Sequence, residues 1–176
     1  MNGGEGTVTG LSSLRLLVLD VDGVLTDGTI LLGAGEEELK AFHTRDGAGL
    51  ALWREAGLLC TFLTGRGGAA VRRRARELRI ERIWEGVRDK RVAFDEVLAH
   101  FGVGAHETID MGDDVPDLGI LARAGLSAAP ADAAPDVREC VQLVVPSAGG
   151  HGAVRDLVEH VLRATGRWQA LLESLR

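Results

Sequence analysis

The chain has 176 residues, 45% of them hydrophobic and 26% charged, enough for one domain with a core of its own and too apolar for a disordered segment. Lys and Arg number 20 against 26 Asp and Glu, a net charge of −6 with a pI near 5.4, which argues against nucleic-acid and anionic-membrane binders. No apolar run approaches the ~20 residues of a membrane span, Met1 to Gly10 lacks a signal-peptide pattern, and Cys60 and Cys140 form neither a disulfide framework nor a zinc motif, so the expectation is a cytoplasmic protein.

Short apolar runs alternate with helix-period segments, the pattern of a parallel sheet covered by helices. Leu16–Leu19 reads as a buried first strand. Thr29–Leu32 and Glu38–Phe42 flank a Gly33-Ala34-Gly35 turn and read as a β-hairpin. Asp46–Ala56 is a predicted helix with Asp46 as N-cap and Gly57 as its stop. Leu58–Leu63 is the second central strand, with Cys60 a buried free thiol. Gly68–Leu78 is a helix whose Arg72-Arg73-Arg74-Ala75-Arg76 run reads as a solvated face, and Arg82–Trp84 a short strand. The rest runs helix 89–101, strand 108–111, a proline-opened helix 116–124, strands 126–129 and 141–145, and helix 153–164. In that last helix Val154, Leu157, Val158, Val161 and Leu162 share one stripe. Trp168, Leu171 and Leu172 have helical spacing and are expected to pack on the core or a neighbour. The chain reads as one domain over 1–176, with a flexible N-terminus at 1–13 and a tail at 166–176.

In open α/β sheets, ligands bind beyond the carboxyl ends of the strands, and four polar clusters fall there. Asp20-Val21-Asp22-Gly23 puts two carboxylates on one side of an extended segment. Such like charges repel unless a cation or a shared proton compensates, and Mg²⁺ takes oxygen ligands of this kind. Gly112-Asp113-Asp114 follows another strand and supplies a further carboxylate. Thr64-Gly65-Arg66 combines a hydroxyl with amides leading into a helix, a phosphate cradle. Lys90 opens a helix against the dipole preference, which a phosphoryl oxygen would explain. Together these groups permit nucleophilic phosphoryl transfer through an aspartyl-phosphate.

At these residues the sequence resembles the haloacid dehalogenase superfamily, whose four motifs match in order. Asp20-Val21-Asp22-Gly23-Val24-Leu25-Thr26-Asp27-Gly28, Lys40-Ala41-Phe42-His43-Thr44-Arg45-Asp46-Gly47, Thr64-Gly65-Arg66, Gly112-Asp113-Asp114 and Gly149-Gly150-His151-Gly152 narrow the resemblance to its capless branch, the 3-deoxy-D-manno-octulosonate 8-phosphate (KDO 8-phosphate) phosphatases. The resemblance implies a doubly wound Rossmann-like α/β fold with a small β-hairpin flap and no cap domain. It implies Asp20 as nucleophile and Asp22 as acid/base. It also implies Mg²⁺ held by Asp20, the Asp22 carbonyl and Asp113, with Asp114 and Asp117 in support. Thr64, Gly65 and Lys90 would bind phosphate. Arg66 would read the sugar-acid carboxylate, where phosphatases of the nine-carbon KDN 9-phosphate carry Glu, and Arg45 and Lys40 would add positive charge. His43 and Gly68 stand where the branch often has Asn and Ser, and His151 reads as an exposed loop histidine.

The resemblance further implies a homotetramer in which hairpin and tail close a neighbour's site. Only 41 residues separate Asp22 from Thr64 and 22 separate Lys90 from Asp113, too few for a lid beyond one hairpin, so water exclusion points to another subunit. Three rival readings fit these residues less well. A phosphate-accepting receiver needs neither Asp22 nor the hairpin. A dinucleotide-binding fold wants a Gly-x-Gly-x-x-Gly that is missing after the first strand. A non-catalytic oligomerisation module predicts the loss of a catalytic residue, whereas all five of Asp20, Asp22, Thr64, Lys90 and Asp113 are present.

Overall fold

The computed structural model of the chain describes residues 10–35 and 37–174. Strand β1 (Leu16–Leu19) lies at the centre, paired in parallel with β4 (Leu59–Leu63) on one side and β6 (Thr108–Met111) on the other. The sheet continues through β5 (Ile83–Trp84) at one edge and through β7 (Leu126–Ala129) to β8 (Leu143–Val144) at the other, in the order β5-β4-β1-β6-β7-β8. All six strands are parallel, and a parallel sheet is buried on both faces, which is why central β1 is apolar at every position rather than alternating.

The strand period of two splits β1 between two cores. Leu17 and Leu19 join the cluster under α1 (Thr44–Glu55), α2 (Ala69–Glu77) and α6 (Ala153–Ala164). Leu16 and Val18 face the opposite way, against Phe94 and Val97 of α3 (Lys90–Phe101) and Ile120 of the one-turn helix α4 (Leu118–Leu121). Helices on both faces make the sheet doubly wound. The five stripe positions of α6 are all buried. Beyond it, Trp168 and Leu171 of α7 (Arg167–Ser174) pack into the same core, and the guanidinium groups of Arg155 and Arg163 both lie over the Trp168 ring. Residues 1–9 of the expected N-terminal segment and 175–176 of the tail lie outside the described residues; Leu11–Ser13 close a 3-10 turn.

Several local expectations are corrected. Asp46 does not cap α1. That helix starts at Thr44, and the His43 side chain accepts from the Arg45 N–H. Asp46 is buried and its Oδ1 accepts from the Arg155 N–H at 3.0 Å, so it caps α6. Gly57 ends α1 as expected, at φ 76°. The hairpin is shorter than predicted, with β2 (Leu31–Leu32) and β3 (Glu38–Leu39) pairing antiparallel outside the main sheet. The segment opened by Pro116 is a 3-10 turn (Val115–Asp117) leading into α4, and α5 (Pro135–Cys140) went unpredicted. Arg72, Arg73 and Arg76 are exposed, but Arg74 is half-buried over the Phe42 ring and donates to the His43 carbonyl. Cys60 is free and only partly buried. No cap domain is present among the described residues.

Candidate active site

The central strands bring Asp20 and Asp113 together. Asp20 leaves the end of β1, where its N–H still bonds the Met111 carbonyl at 3.1 Å, and Asp113 follows β6 by one glycine. Gly23 allows this approach. Its φ is 86°, and a Cβ there would lie 2.0 Å from Asp113 Oδ2, so only glycine fits. The Gly149-Gly150 turn lies against the same loop from behind, and a Cβ on Gly149 would meet the Gly23 carbonyl at 1.9 Å.

Carboxylate oxygens of Asp20, Asp113 and Asp117 lie within 4.8 Å of one another. Burial raises the Asp20 pKa to about 6 against the pull of Lys90, with Asp117 adding to the rise. Burial, then the charges of Asp20 and Asp117, raises Asp113 to about 7. The cation in this group is Lys90, 8% exposed, which pairs with Asp20 Oδ2 at 3.0 Å and with Asp117. Burial alone would lower the Lys90 pKa, but the two carboxylates outweigh it and the ammonium is stabilised. Its place at the start of α3 is therefore explained by acids already in the fold, and Asp89 satisfies that helix's N-terminus by accepting from the Arg91 N–H.

Asp117 is more central than the support role expected of it. It is buried, and one oxygen accepts from the N–H groups of Asp113 and Asp114 at 3.1 and 3.3 Å while the other takes Lys90. Asp114 turns away, exposed, to cap the 3-10 turn through the Val115 N–H at 2.8 Å. Asp110 on β6 was overlooked. It is buried with Oδ2 unpartnered, and burial raises its pKa well above the usual carboxylate range. A carboxylate in the middle of a short buried strand is the signal.

Thr64 follows β4 directly and is almost wholly buried, its hydroxyl donating to the Arg66 carbonyl and accepting from the Arg66 N–H. The helix that follows starts only at Ala69, and Glu85 already caps it through the Gly68 N–H at 3.0 Å. The candidate cradle is thus the Thr64–Arg66 turn and not the helix terminus. Gly65 and Lys90 share a cavity of about 550 Å³ with Val87, Arg88, Val115 and Pro116. A larger one, about 860 Å³, lies between the hairpin and α2 rather than over Asp20.

The cations expected to meet substrate are placed differently from one another. Lys40 is buried in a salt bridge with Asp22 and a second with Glu38 at 2.9 Å. Arg66 is half-exposed and pairs with the other Glu38 oxygen at 2.8 Å. Arg45 is exposed on the first turn of α1, with no side-chain partner among the described residues. The His43 and His151 rings stand 6.5 Å apart.

The residues fit a hard divalent cation. Asp20 Oδ1 and Asp22 Oδ2 are buried with no hydrogen-bond partner, and clustered carboxylates with raised pKa values are stabilised by such an ion.

A family model for haloacid dehalogenase-like hydrolases matches residues 80–157. The 3-deoxy-D-manno-octulosonate 8-phosphate phosphatase of Salmonella typhi is 38% identical over 160 residues, 91% of this chain and 85% of that protein. The Escherichia coli (strain K12) enzyme of the same name is 38% identical over 155 residues, 88% of this chain and 82% of that protein. The same phosphatase from Moraxella catarrhalis, solved with magnesium, phosphate and KDO, superposes with a TM-score of 0.94 at 31% identity, covering 99% of this chain and 100% of that one. The cobalt-bound Haemophilus influenzae phosphatase gives 0.86 at 37% identity, covering 89% and 91%. With its nearly full-length kinship and its shared sheet, the chain belongs to the haloacid dehalogenase-like hydrolases, in the family of the 3-deoxy-D-manno-octulosonate 8-phosphate phosphatases, which are phosphoric monoester hydrolases.

Proposed function

We propose that the chain hydrolyses KDO 8-phosphate to KDO and phosphate through an aspartyl-phosphate on Asp20. The observation that carries the reading is the unpartnered, buried Asp20 Oδ1 at the mouth of β1, beside Lys90 and Asp113. Mg²⁺, held by Asp20, Asp113 and the Asp22 carbonyl, would neutralise charge on the phosphoryl oxygens.

Asp20 attacks phosphorus, and the bond from phosphorus to the sugar oxygen breaks as Asp22 gives that oxygen a proton. Asp22 then takes a proton from water as the water attacks phosphorus, and the bond to Asp20 breaks to release phosphate. Lys90 and the Thr64–Gly65 turn hold the phosphoryl oxygens, where preorganised donors contribute most. Asp117 holds Lys90 and the Asp113 loop in place, and Asp114 keeps the turn after it. Arg66 grips the sugar-acid carboxylate bidentately once that carboxylate displaces Glu38, and Arg45 adds positive charge at the rim.

A homotetramer belongs to the same reading. Ile30, Leu31, Leu32 and Leu39 of the hairpin are 47 to 75% exposed, an apolar tip suited to a neighbouring subunit. A cytoplasmic location is supported by both thiols being free. Measuring kcat/KM with Mg²⁺ on eight- and nine-carbon keto-sugar acid phosphates tests the assignment. KDO 8-phosphate should lead the panel, and a clear preference for KDN 9-phosphate or N-acylneuraminate 9-phosphate would replace the substrate while keeping the chemistry.

A further inference from the structure

The Lys40 side chain is 2% exposed although the hairpin that carries it lies outside the main sheet. Its ammonium pairs with Asp22 Oδ1 and with Glu38 Oε1, and the second Glu38 oxygen goes to Arg66. A buried ammonium is costly unless carboxylates face it closely, and here two do. Those two partners leave it poorly placed to take a substrate carboxylate. The other oxygen of Asp22, Oδ2, is buried with no partner at all.

We propose that Lys40 is a positioning residue for Asp22: by holding Oδ1 it fixes the carboxylate plane and leaves Oδ2 as the oxygen that exchanges the proton with the leaving group. The inference rests on the reading of Asp22 as acid/base. An aspartate leaving a strand end has a soft terminal torsion, and small misplacements of a reacting group cost large factors in rate. Lys40 supplies the missing constraint from 18 residues away, and it does so within one subunit. The ion chain from Asp22 through Lys40 and Glu38 to Arg66 thereby makes hairpin placement a condition for proton transfer.

Leaving-group dependence tests this, because a positioned acid matters for a basic leaving group and hardly for an acidic one. With Mg²⁺ present, kcat/KM is measured on phenyl phosphate and on 2,4-dinitrophenyl phosphate, neither of which carries a carboxylate for Lys40 or Arg66 to bind. Lys40→Met should lose at least about tenfold on phenyl phosphate and less than about threefold on 2,4-dinitrophenyl phosphate. Asp22→Asn should show the same asymmetry, larger, and Lys40→Arg should restore most of the loss. Equal losses on both esters in Lys40→Met, with the asymmetry intact in Asp22→Asn, overturn the inference alone and make Lys40 a structural residue. A symmetric loss in Asp22→Asn takes down the acid/base reading and the inference with it. If circular dichroism shows Lys40→Met unfolded, Lys40→Gln carries the same comparison: an asymmetric loss supports the inference and a symmetric one overturns it.

Discussion

The strand-end cluster and the hairpin are held by different forces. Asp20 and Asp113 follow strands buried on both faces, so the core sets their backbone and polar groups are fitted around it. The hairpin has two residues per strand, an apolar tip in solvent, and an ion-pair tether to the Thr64–Arg66 turn. One region is preorganised by packing, which is rigid. The other hangs on charge pairs and leaves its apolar residues exposed, and such segments have the lower local stability. The proposed mechanism puts the chemistry on the first, and access and orientation on the second.

Changes in the cluster should abolish activity while the fold survives. Asp20→Asn should lower kcat by at least about 10⁴-fold, because the proposed mechanism assigns the intermediate to this carboxylate. Steady-state turnover, with near-native circular dichroism, checks it. Lys90→Met strikes stability as well. It leaves Asp20 and Asp117 without their buried counter-charge, costing about 3–5 kcal/mol in metal-free urea unfolding, and it should lower kcat about 10²–10³-fold.

Metal and pH sharpen the contrast. Asp20, at about 6, and Asp113, at about 7, titrate above the 3.8 of an ordinary aspartate. Through that window the native metal-free protein holds protons that the unfolded chain has lost. The contribution of these groups to stability is therefore fullest below pH 3.8 and is lost as pH rises through about 6 and 7. A cation needs both groups ionised, so Mg²⁺ affinity should rise over the same window and level off above it. Thermal melts across pH with and without Mg²⁺ check both signs. An affinity independent of pH between 5 and 8 would separate these carboxylates from the metal.

The smallest effect on folding belongs to the hairpin. Leu32 is 75% exposed, so Leu32→Ser should change monomer stability by less than about 0.5 kcal/mol. It should nevertheless loosen subunit association in sedimentation velocity and lower activity in step with it. Full activity from a monomer would detach the hairpin tip from assembly.

The sequence exposed the first region far better than the second. Short, mainly apolar runs placed β1 and β4, the Thr108–Met111 segment placed β6, and the polar residues just past them, Asp20, Thr64 and Asp113, followed from where such strands end. Contacts made by distant partners stayed hidden. Asp46 looks like a cap for the helix it sits in, yet its carboxylate serves Arg155, 109 positions away. Lys40 and Arg66 read as cations for the substrate because nothing local ties Lys40 to Asp22, 18 residues away, or Arg66 to Glu38, 28 residues away. Glu85, 17 residues from Gly68, covers the start of the helix into which the Thr64-Gly65-Arg66 amides read as leading. Asp110 was legible in principle, since a carboxyl amid Thr108, Ile109 and Met111 has no reason in packing. Helix α5 is only six residues long, too short for its period to show.

The central claim is that Asp20 carries the phosphoryl group. It is tested most directly by quenching Mg²⁺-loaded protein in acid during turnover, reducing with borohydride and sequencing the peptides by mass spectrometry. The account predicts homoserine at position 20 and unmodified Asp22 and Asp113. Homoserine at another aspartate, or none at Asp20 despite a pre-steady-state burst of released alcohol, would contradict it.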